Sequence, residues 1–189
     1  MTLKQRPRMI DPSRALVFSI DFQDRILAAV QDRDEVINQA ANFIRVARMA
    51  DLPLLRLEQN PVRLGPTTDP VREALGDVQV YSKMTFSALR TPEVESAARA
   101  LGRSQFILLG VEAHICVAQT ALDAIAMGYE VYVLADASSS VKPFDRELAM
   151  KRMCQAGAVI TTAQAAAFEI VETAGTPLFK QAQPVLKNL

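Results

Sequence analysis

The chain has 189 residues, of which 50% are hydrophobic and 22% are charged, proportions typical of a globular protein with one buried core. Its 21 basic and 21 acidic residues give a net charge of zero, which argues against a nucleic-acid partner. No apolar run reaches the roughly 18 residues of a membrane span. Two cysteines and one histidine are too few for a conventional structural zinc site. We therefore expect a cytoplasmic protein with reduced thiols and without a metal, a cofactor or a membrane partner.

Short apolar runs alternate with helical patterns along the chain, as in a parallel sheet covered by helices on both faces. The predicted strands are residues 15–21, 52–58, 78–83, 105–111, 130–136 and 158–162. The predicted helices are residues 34–49, a segment opened by Thr91, Pro92 and Glu93, and residues 113–127, 146–156 and 163–172. Right-handed crossovers then give a three-layer α/β/α, doubly wound fold with a six-stranded parallel sheet, for which we predict the strand order 3-2-1-4-5-6.

The same patterns predict a single domain over residues 1–189, with an N-terminal arm at 1–14 and a short C-terminal helix at 176–189. Neither an internal repeat nor a long linker interrupts it. Residues 59–77 contain three prolines and two glycines between the second and third strands. This stretch is too long for a simple connection, so we predict an irregular loop that acts as a lid or an interface.

Three reactive side chains fall where predicted strands end. Asp21 ends the first strand, Lys83 ends the third, and Cys116 lies in the first turn of the helix after the fourth. Each alone has an ordinary explanation, as a turn residue, a solvated lysine or a packed cysteine. Together they lie at the edge of the sheet where doubly wound proteins bind ligands, which favours a reactive site.

The chemistry of the three residues fits acyl transfer without a histidine. The thiolate is the nucleophilic form of cysteine, and both a helix N-terminus and the Lys83 ammonium would favour it. Asp21 could take the thiol proton and return it to a leaving amine. Backbone N–H groups at the start of the helix could stabilise an oxyanion.

Three segments resemble the isochorismatase-like cysteine hydrolases, in the order and spacing of that superfamily. GVEAHICVAQTALDAIAMGYEVYVLADASSS is similar to its nucleophile segment, SIDFQDRILAAV to the strand that ends in the catalytic aspartate, and YSKMTFSAL to the segment with the catalytic lysine. LEQNPVRLGPT and ITTAQAAAFEIV are closest to the isochorismatase-domain-containing subgroup. The resemblance extends from about residue 15 to residue 179.

The resemblance implies a mechanism as well as a fold. Cys116 would attack the substrate, Asp21 would act as general base and acid, and Lys83 would lower the pKa of the thiol. The superfamily also implies a non-proline cis peptide bond between Val111 and Glu112, which aims backbone N–H groups at the oxyanion. The expected function is hydrolysis of a small amide-like substrate, at a C–N bond, through a Cys116 thioester.

Two departures from the superfamily narrow the reaction. Nicotinamidases carry an Asp-x-His metal motif after the second strand, where this chain has Glu58, Gln59 and Asn60. The single histidine, His114, instead lies beside the nucleophile, so we predict no metal site and disfavour a nicotinamidase. Isochorismatases proper cleave a vinyl ether and lack the cysteine, so the presence of Cys116 favours amide or related acyl chemistry.

Six further residues are candidates for substrate-binding or oxyanion contacts, each with a structural alternative. Gln23 and Gln59 could instead cap turns, Phe86 could belong to the core, and His114 could brace the turn before the nucleophile. Val111 and Glu112 are included because of the expected cis peptide bond. Cys154, with no activating neighbour in sequence, is predicted to be structural.

Other functions remain open from the sequence. The main alternative is a non-catalytic binding or scaffold protein that retains the fold. A thiol redox protein is disfavoured because there is no Cys-x-x-Cys motif, and a nucleotide-binding protein because no glycine-rich loop follows the first strand. The apolar helices and the family resemblance predict a homo-oligomer of undetermined size that acts on a small molecule.

Overall fold

A computed structural model describes residues 9–30 and 32–189. The first eight residues of the predicted N-terminal arm and residue 31 lie outside the described residues.

The described chain contains a six-stranded parallel sheet. Its strands are β1 (Ala15–Ile20), β2 (Leu54–Gln59), β3 (Val80–Lys83), β4 (Gln105–Val111), β5 (Glu130–Ser139) and β6 (Val159–Thr161). They lie in the order β3-β2-β1-β4-β5-β6, and every neighbouring pair is parallel. The predicted fold class and strand order are therefore confirmed, and strand order reverses between β1 and β4.

Helices cover both faces of this sheet. They are α1 (Asp24–Leu27), α2 (Arg33–Met49), α3 (Pro61–Leu64), α4 (Asp69–Leu75), α5 (Pro92–Ala100), α6 (Ala118–Ala126), α7 (Pro143–Ala156), α8 (Ala163–Val171) and α9 (Pro177–Leu186). A short 3₁₀ turn, Ala88–Arg90, precedes α5, and a π-helical turn, Ala113–Val117, precedes α6.

The two faces of the sheet bury separate apolar clusters. Because side chains alternate along a strand, Val17 of β1 packs in a cluster with residues of α2, α8 and α9. Its neighbour Phe18 packs on the other face with residues of α5, α6 and α7. All six residues of β1 are buried, as expected for a central strand with helices on both sides.

Three local predictions were wrong. Residues 59–77 were expected to be irregular but contain α3 and α4, each with a proline in its first turn, a position that proline favours. The single helix predicted at 113–127 is divided into a π-helical turn and α6. The helix predicted at 146–156 begins three residues earlier, at Pro143, which also occupies the first turn.

None of the helices in residues 9–30 and 32–189 could span a membrane.

Gly110 allows β1 and β4 to approach closely at the end where the reactive residues lie. Its φ is +147°, and a Cβ added there would lie 2.1 Å from the backbone oxygen of Ile20. We expect Gly110→Ala to lower the free energy of unfolding by about 3 kcal/mol, since it adds both strain and a backbone clash. The matched control is Gly102→Ala, where φ is also positive but no atom lies within 4 Å.

Chemical denaturation of both variants tests this expectation. The control should lose about 1 kcal/mol, from backbone strain alone. Equal losses in the two variants would contradict a special role for the contact between β1 and β4.

Candidate active site

Asp21 and Lys83 form a buried ion pair at the carboxyl edge of the sheet. The Lys83 ammonium Nζ lies 2.7 Å from Asp21 Oδ2, and both side chains are fully buried. Asp21 directly follows β1, and Lys83 ends β3, so the lysine side chain reaches past β2 to the carboxylate. The structure therefore joins two residues separated by 62 positions in the sequence.

The Asp21 carboxylate lies in an environment that raises its pKa. Its backbone has a left-handed φ of 55°. Burial raises the pKa of Asp21 above its ordinary value, although the Lys83 charge, the Lys83 hydrogen bond and contact with the Cys116 thiol act in the opposite direction. Its second oxygen, Oδ1, is buried and has no hydrogen-bond partner among the described residues. This carboxylate is consequently a better proton acceptor than an exposed aspartate.

Cys116 lies in the π-helical turn after β4 and is 6% exposed. Burial and the negative charge of Asp21 raise the pKa of its thiol to about 12, while Lys83 acts to lower it. The expectation that Lys83 lowers this pKa agrees with the direction of its effect, but burial together with Asp21 outweighs the lysine. Cys116 is a neutral thiol at physiological pH.

Removing the Asp21 charge should reverse this balance. We expect Asp21→Asn to lower the pKa of Cys116, because Lys83 then acts on the thiol without an opposing carboxylate. Ultraviolet titration of the thiolate in a Cys154→Ser background, which removes the other cysteine, measures this shift. A pKa that stays at its original value would contradict the electrostatic coupling between Asp21 and Cys116.

The Lys83 ammonium has further oxygen neighbours. Gln59 Oε1 accepts a hydrogen bond from Nζ at 2.8 Å, and the carbonyl oxygens of Thr85 and Phe86 lie 3.4 Å from Nζ. Phe86 is 53% exposed, so the structural alternative of a core position for this residue is wrong. Of the predicted binding residues, Gln59 and Phe86 therefore lie next to the ion pair.

Gln23 is fully buried and bonds to backbone groups. Its Nε2 donates to the carbonyl oxygens of Gln59 at 3.0 Å and Gly65 at 2.6 Å. Its Oε1 accepts from the Gln59 N–H at 2.8 Å. Both Nε2 hydrogens are thus engaged by the protein, which supports a bracing role over direct contact with a substrate.

The segment before the nucleophile is braced against the end of β5. The Val111–Glu112 peptide bond is cis, as the resemblance implies. Glu112 Oε2 accepts a hydrogen bond from the Val141 N–H at 2.9 Å, and His114 Nδ1 lies 2.9 Å from Ser140 Oγ. These contacts favour the structural alternative for His114.

Some backbone N–H groups near the nucleophile already donate hydrogen bonds within the protein. Those of Ile115 and Val117 donate to the Glu112 carbonyl, at 3.1 and 3.3 Å. The oxyanion role of the turn that follows Val111 therefore stays a prediction.

A buried polar network that the sequence analysis did not identify lies beside the site. Glu58 Oε1 accepts hydrogen bonds from Arg56, at 2.7 Å, and from the N–H and hydroxyl of Thr67, both at 2.8 Å. The sequence does contain an indication of this network. Charged residues alternate with leucines in LLRLEQ, a strand buried on both faces. Across the described part of the chain, no group of three or more His, Cys, Asp or Glu side chains is placed to hold a metal ion.

Comparison with known proteins identifies the family of this chain. The family model described as "Isochorismatase domain" matches residues 15–165. The chain belongs to the isochorismatase family. Membership of this family supports a hydrolase, without specifying the bond or the substrate.

Two curated relatives are each 34% identical to the chain. Isochorismatase domain-containing protein 1 of Danio rerio aligns with 94% of the chain, which spans only 62% of that relative's length. The secreted isochorismatase effector Isc1 of Phytophthora sojae aligns with 98% of the chain and 90% of its own length.

Three solved structures share the fold with a TM-score of 0.89. The MAR1 ribonuclease from Caenorhabditis elegans is 33% identical, over 94% of this chain and 92% of its own. YcaC from Pseudomonas aeruginosa, with hexane-2,5-diol and covalent acrylamide, is 25% identical. Escherichia coli YcaC, described as an octameric hydrolase of unknown specificity, is 27% identical. Both YcaC alignments cover 98% of this chain and 96% of the other.

Proposed function

We propose that this isochorismatase-family protein hydrolyses a C–N bond in a small amide-like substrate, through a thioester on Cys116. The observation that carries the proposal is the buried cluster of Asp21, Lys83 and Cys116. In it, a carboxylate with a raised pKa faces a neutral thiol, and the Lys83 ammonium at 2.7 Å from the carboxylate balances its charge. A proton acceptor, a nucleophile and a cation together are the parts that acyl transfer requires.

The first half-reaction would form the thioester. Cys116 Sγ attacks the carbonyl carbon as the thiol proton moves to Asp21, and the carbonyl π electrons move to oxygen. The intermediate then collapses, the C–N bond breaks, and Asp21 returns the proton to the leaving amine. Lys83 keeps its proton and stabilises the negative charge on sulfur and on Asp21 in turn.

The second half-reaction would hydrolyse the thioester. Asp21, again ionised, takes a proton from a water molecule whose oxygen attacks the thioester carbonyl. Collapse breaks the C–S bond, releases the carboxylic acid, and returns the proton from Asp21 to the Cys116 sulfur. One water is consumed per C–N bond, and the site returns to its starting protonation state.

The descriptions of two solved relatives support a hydrolase with a reactive group. One YcaC structure contains covalent acrylamide, an electrophile that is itself a small amide, and the other YcaC is described as a hydrolase. The proposed chemistry agrees with both descriptions.

A screen of small amides and esters tests the proposal. Hydrolysis by the unmodified protein that disappears in Cys116→Ala would support a Cys116 thioester. Hydrolysis that persists in Cys116→Ala would overturn it. Cys154→Ser is the matched control, because Cys154 is an exposed free cysteine on α7.

Ribonuclease activity is a second candidate, favoured by the description of the Caenorhabditis elegans relative. The zero net charge of this chain argues against it. A labelled RNA in the same screen separates the two functions, since RNA cleavage with no amide hydrolysis would favour the nuclease. The non-catalytic scaffold would be favoured if neither substrate class reacted and Cys116→Ala left partner binding intact.

We also propose a homo-oligomer and a cytoplasmic location. Exposed apolar side chains, including Met84, Phe144 and Leu148, and the octameric relative support self-association. Light scattering tests it, and a monomer at all concentrations would contradict it. Two free cysteines support a reducing compartment, whereas one relative is described as secreted, so cell fractionation is the deciding measurement.

A further inference from the structure

We propose that Gln59, clamped by Gln23, is a positioning residue that fixes the orientation of the Lys83 ammonium next to Cys116. The inference rests on the proposed function, because it assigns Gln59 a part in preparing the nucleophile. It also reassigns both glutamines from substrate contacts to support of the lysine.

The ammonium group has three N–H donors and two close acceptors. One acceptor is Asp21 Oδ2 at 2.7 Å, and the other is Gln59 Oε1 at 2.8 Å. The remaining oxygens near Nζ are the carbonyls of Thr85 and Phe86, both at 3.4 Å, which is long for a hydrogen bond. Two short bonds therefore fix the rotation of the ammonium and leave its third N–H weakly engaged.

That third donor is the N–H left to engage the sulfur. Lys83 acts on Cys116 through its positive charge, which lowers the pKa of the thiol. A thiolate that develops during attack would accept a hydrogen bond from this donor. Without the Gln59 acceptor, a second N–H would be free and the ammonium could turn away from the sulfur.

The Gln59 amide can present only its oxygen to Lys83. Its Nε2 donates to the Met84 carbonyl at 3.0 Å. If the amide were flipped, Nε2 would face the ammonium and Oε1 would face the Met84 carbonyl, so a donor would meet a donor and an acceptor would meet an acceptor. The two hydrogen bonds therefore select one orientation of the side chain.

Gln23 holds the backbone from which this side chain extends. It bonds both the N–H and the carbonyl of Gln59, at 2.8 and 3.0 Å, in the way that a neighbouring strand would. Gln23 is fully buried, just after β1, and it also bonds the Gly65 carbonyl at 2.6 Å. The end of β2 is thus fixed against the segment that contains Asp21.

The pH dependence of Cys116 alkylation tests this role. In a Cys154→Ser background, iodoacetamide reacts with a single thiol, and the rate reports how readily that thiol becomes a thiolate. Gln59→Met keeps the length of the side chain but removes both hydrogen bonds. We expect the rate near neutral pH to fall about tenfold and the profile to move to higher pH, as for the loss of a hydrogen bond to a charged group.

Gln59→Glu is the conservative variant and serves if Gln59→Met does not fold. Below the pKa of this carboxyl, its protonated form can accept from Lys83 and donate to the Met84 carbonyl, so we expect a rate within about twofold of the parent protein at that pH. As the pH rises and this carboxyl ionises, the alkylation rate of the variant should fall progressively below that of the parent protein. Gln164→Met is the matched control, since the Gln164 amide donates to the Leu189 carbonyl and belongs to α8.

Unchanged alkylation profiles in Gln59→Met and Gln59→Glu would overturn the positioning role. The proposed function would still stand, because it depends on Cys116 itself. Amide hydrolysis that persists in Cys116→Ala would overturn the proposed function, while the alkylation profiles would remain a valid test of the contact between Gln59 and Lys83.

Discussion

Replacing Lys83 with methionine is expected to lower the free energy of unfolding by about 3–5 kcal/mol at neutral pH. The pair that it breaks is fully buried on both sides, so the change leaves the Asp21 carboxylate without its counter-ion in a site closed to water. Methionine fills a similar volume, and the loss therefore reports the uncompensated charge and not a cavity. Urea denaturation measures this loss of stability. The comparison requires that the free energy of unfolding depend on urea concentration with the same slope in both proteins.

The same variant should show a characteristic dependence on pH. Burial already raises the pKa of Asp21, and Lys83 is the first of the groups that oppose this rise. Without Lys83 the folded-state pKa is higher still. A carboxyl whose pKa is raised by folding stabilises the native state most fully below its unfolded pKa of about 3.9 and loses that contribution as the pH rises through the folded value. The defect of Lys83→Met should therefore be smallest in acid and grow toward neutral pH.

Arg90→Met provides the control for this effect. Arg90 forms an ion pair with Asp123 at 2.7 Å, but its side chain is 64% exposed. A solvent-exposed pair contributes no more than about 1 kcal/mol, so this variant should lose little stability. Comparable losses in the two variants, or a Lys83→Met defect that does not change with pH, would contradict a buried, charged pair.

Replacing Cys116 with alanine is expected to lower kcat by about 10⁴-fold or more on any substrate that the protein hydrolyses through this site. The sulfur is the only atom in the cluster that can form the thioester, so Asp21 and Lys83 have no nucleophile to activate in its absence. Stability should change little by comparison, because a small side chain replaces another in a packed turn.

Steady-state kinetics, with thermal unfolding as a check on folding, separates these two effects. Cys154→Ser should retain full activity, since this second thiol is exposed on α7. Loss of activity in Cys154→Ser together with full activity in Cys116→Ala would contradict the proposal, because it would identify Cys154 as the nucleophile.

The sequence predicted the topology and the proximity of Asp21 and Lys83, because both depend on where strands end. Asp21 and Lys83 follow apolar runs, and parallel strands bring such ends to one edge, so their proximity followed from the strand order. The contacts of Gln23 could not be predicted in this way, since one of its partners is a carbonyl 42 residues away, in a segment expected to be irregular.

The raised pKa of Cys116 could not be predicted from the sequence for a related reason. A nearby lysine and a helix N-terminus are visible in the sequence, and both favour the thiolate. Desolvation depends on how completely the surrounding side chains cover the sulfur, and the effect of Asp21 depends on its distance from that sulfur. Only the packed structure provides these quantities, and in this site they outweigh the lysine.

The measurement that tests the role of Cys116 most directly is covalent modification by acrylamide, with the adduct located by peptide mass spectrometry. The chain contains two cysteines, one buried next to Asp21 and Lys83 and one exposed, so each molecule includes its own reference thiol. If Asp21 activates Cys116 as the nucleophile, we expect one acrylamide adduct per chain in the native protein, located on Cys116. Modification of Cys154 with Cys116 left unreacted would contradict Cys116 as the nucleophile.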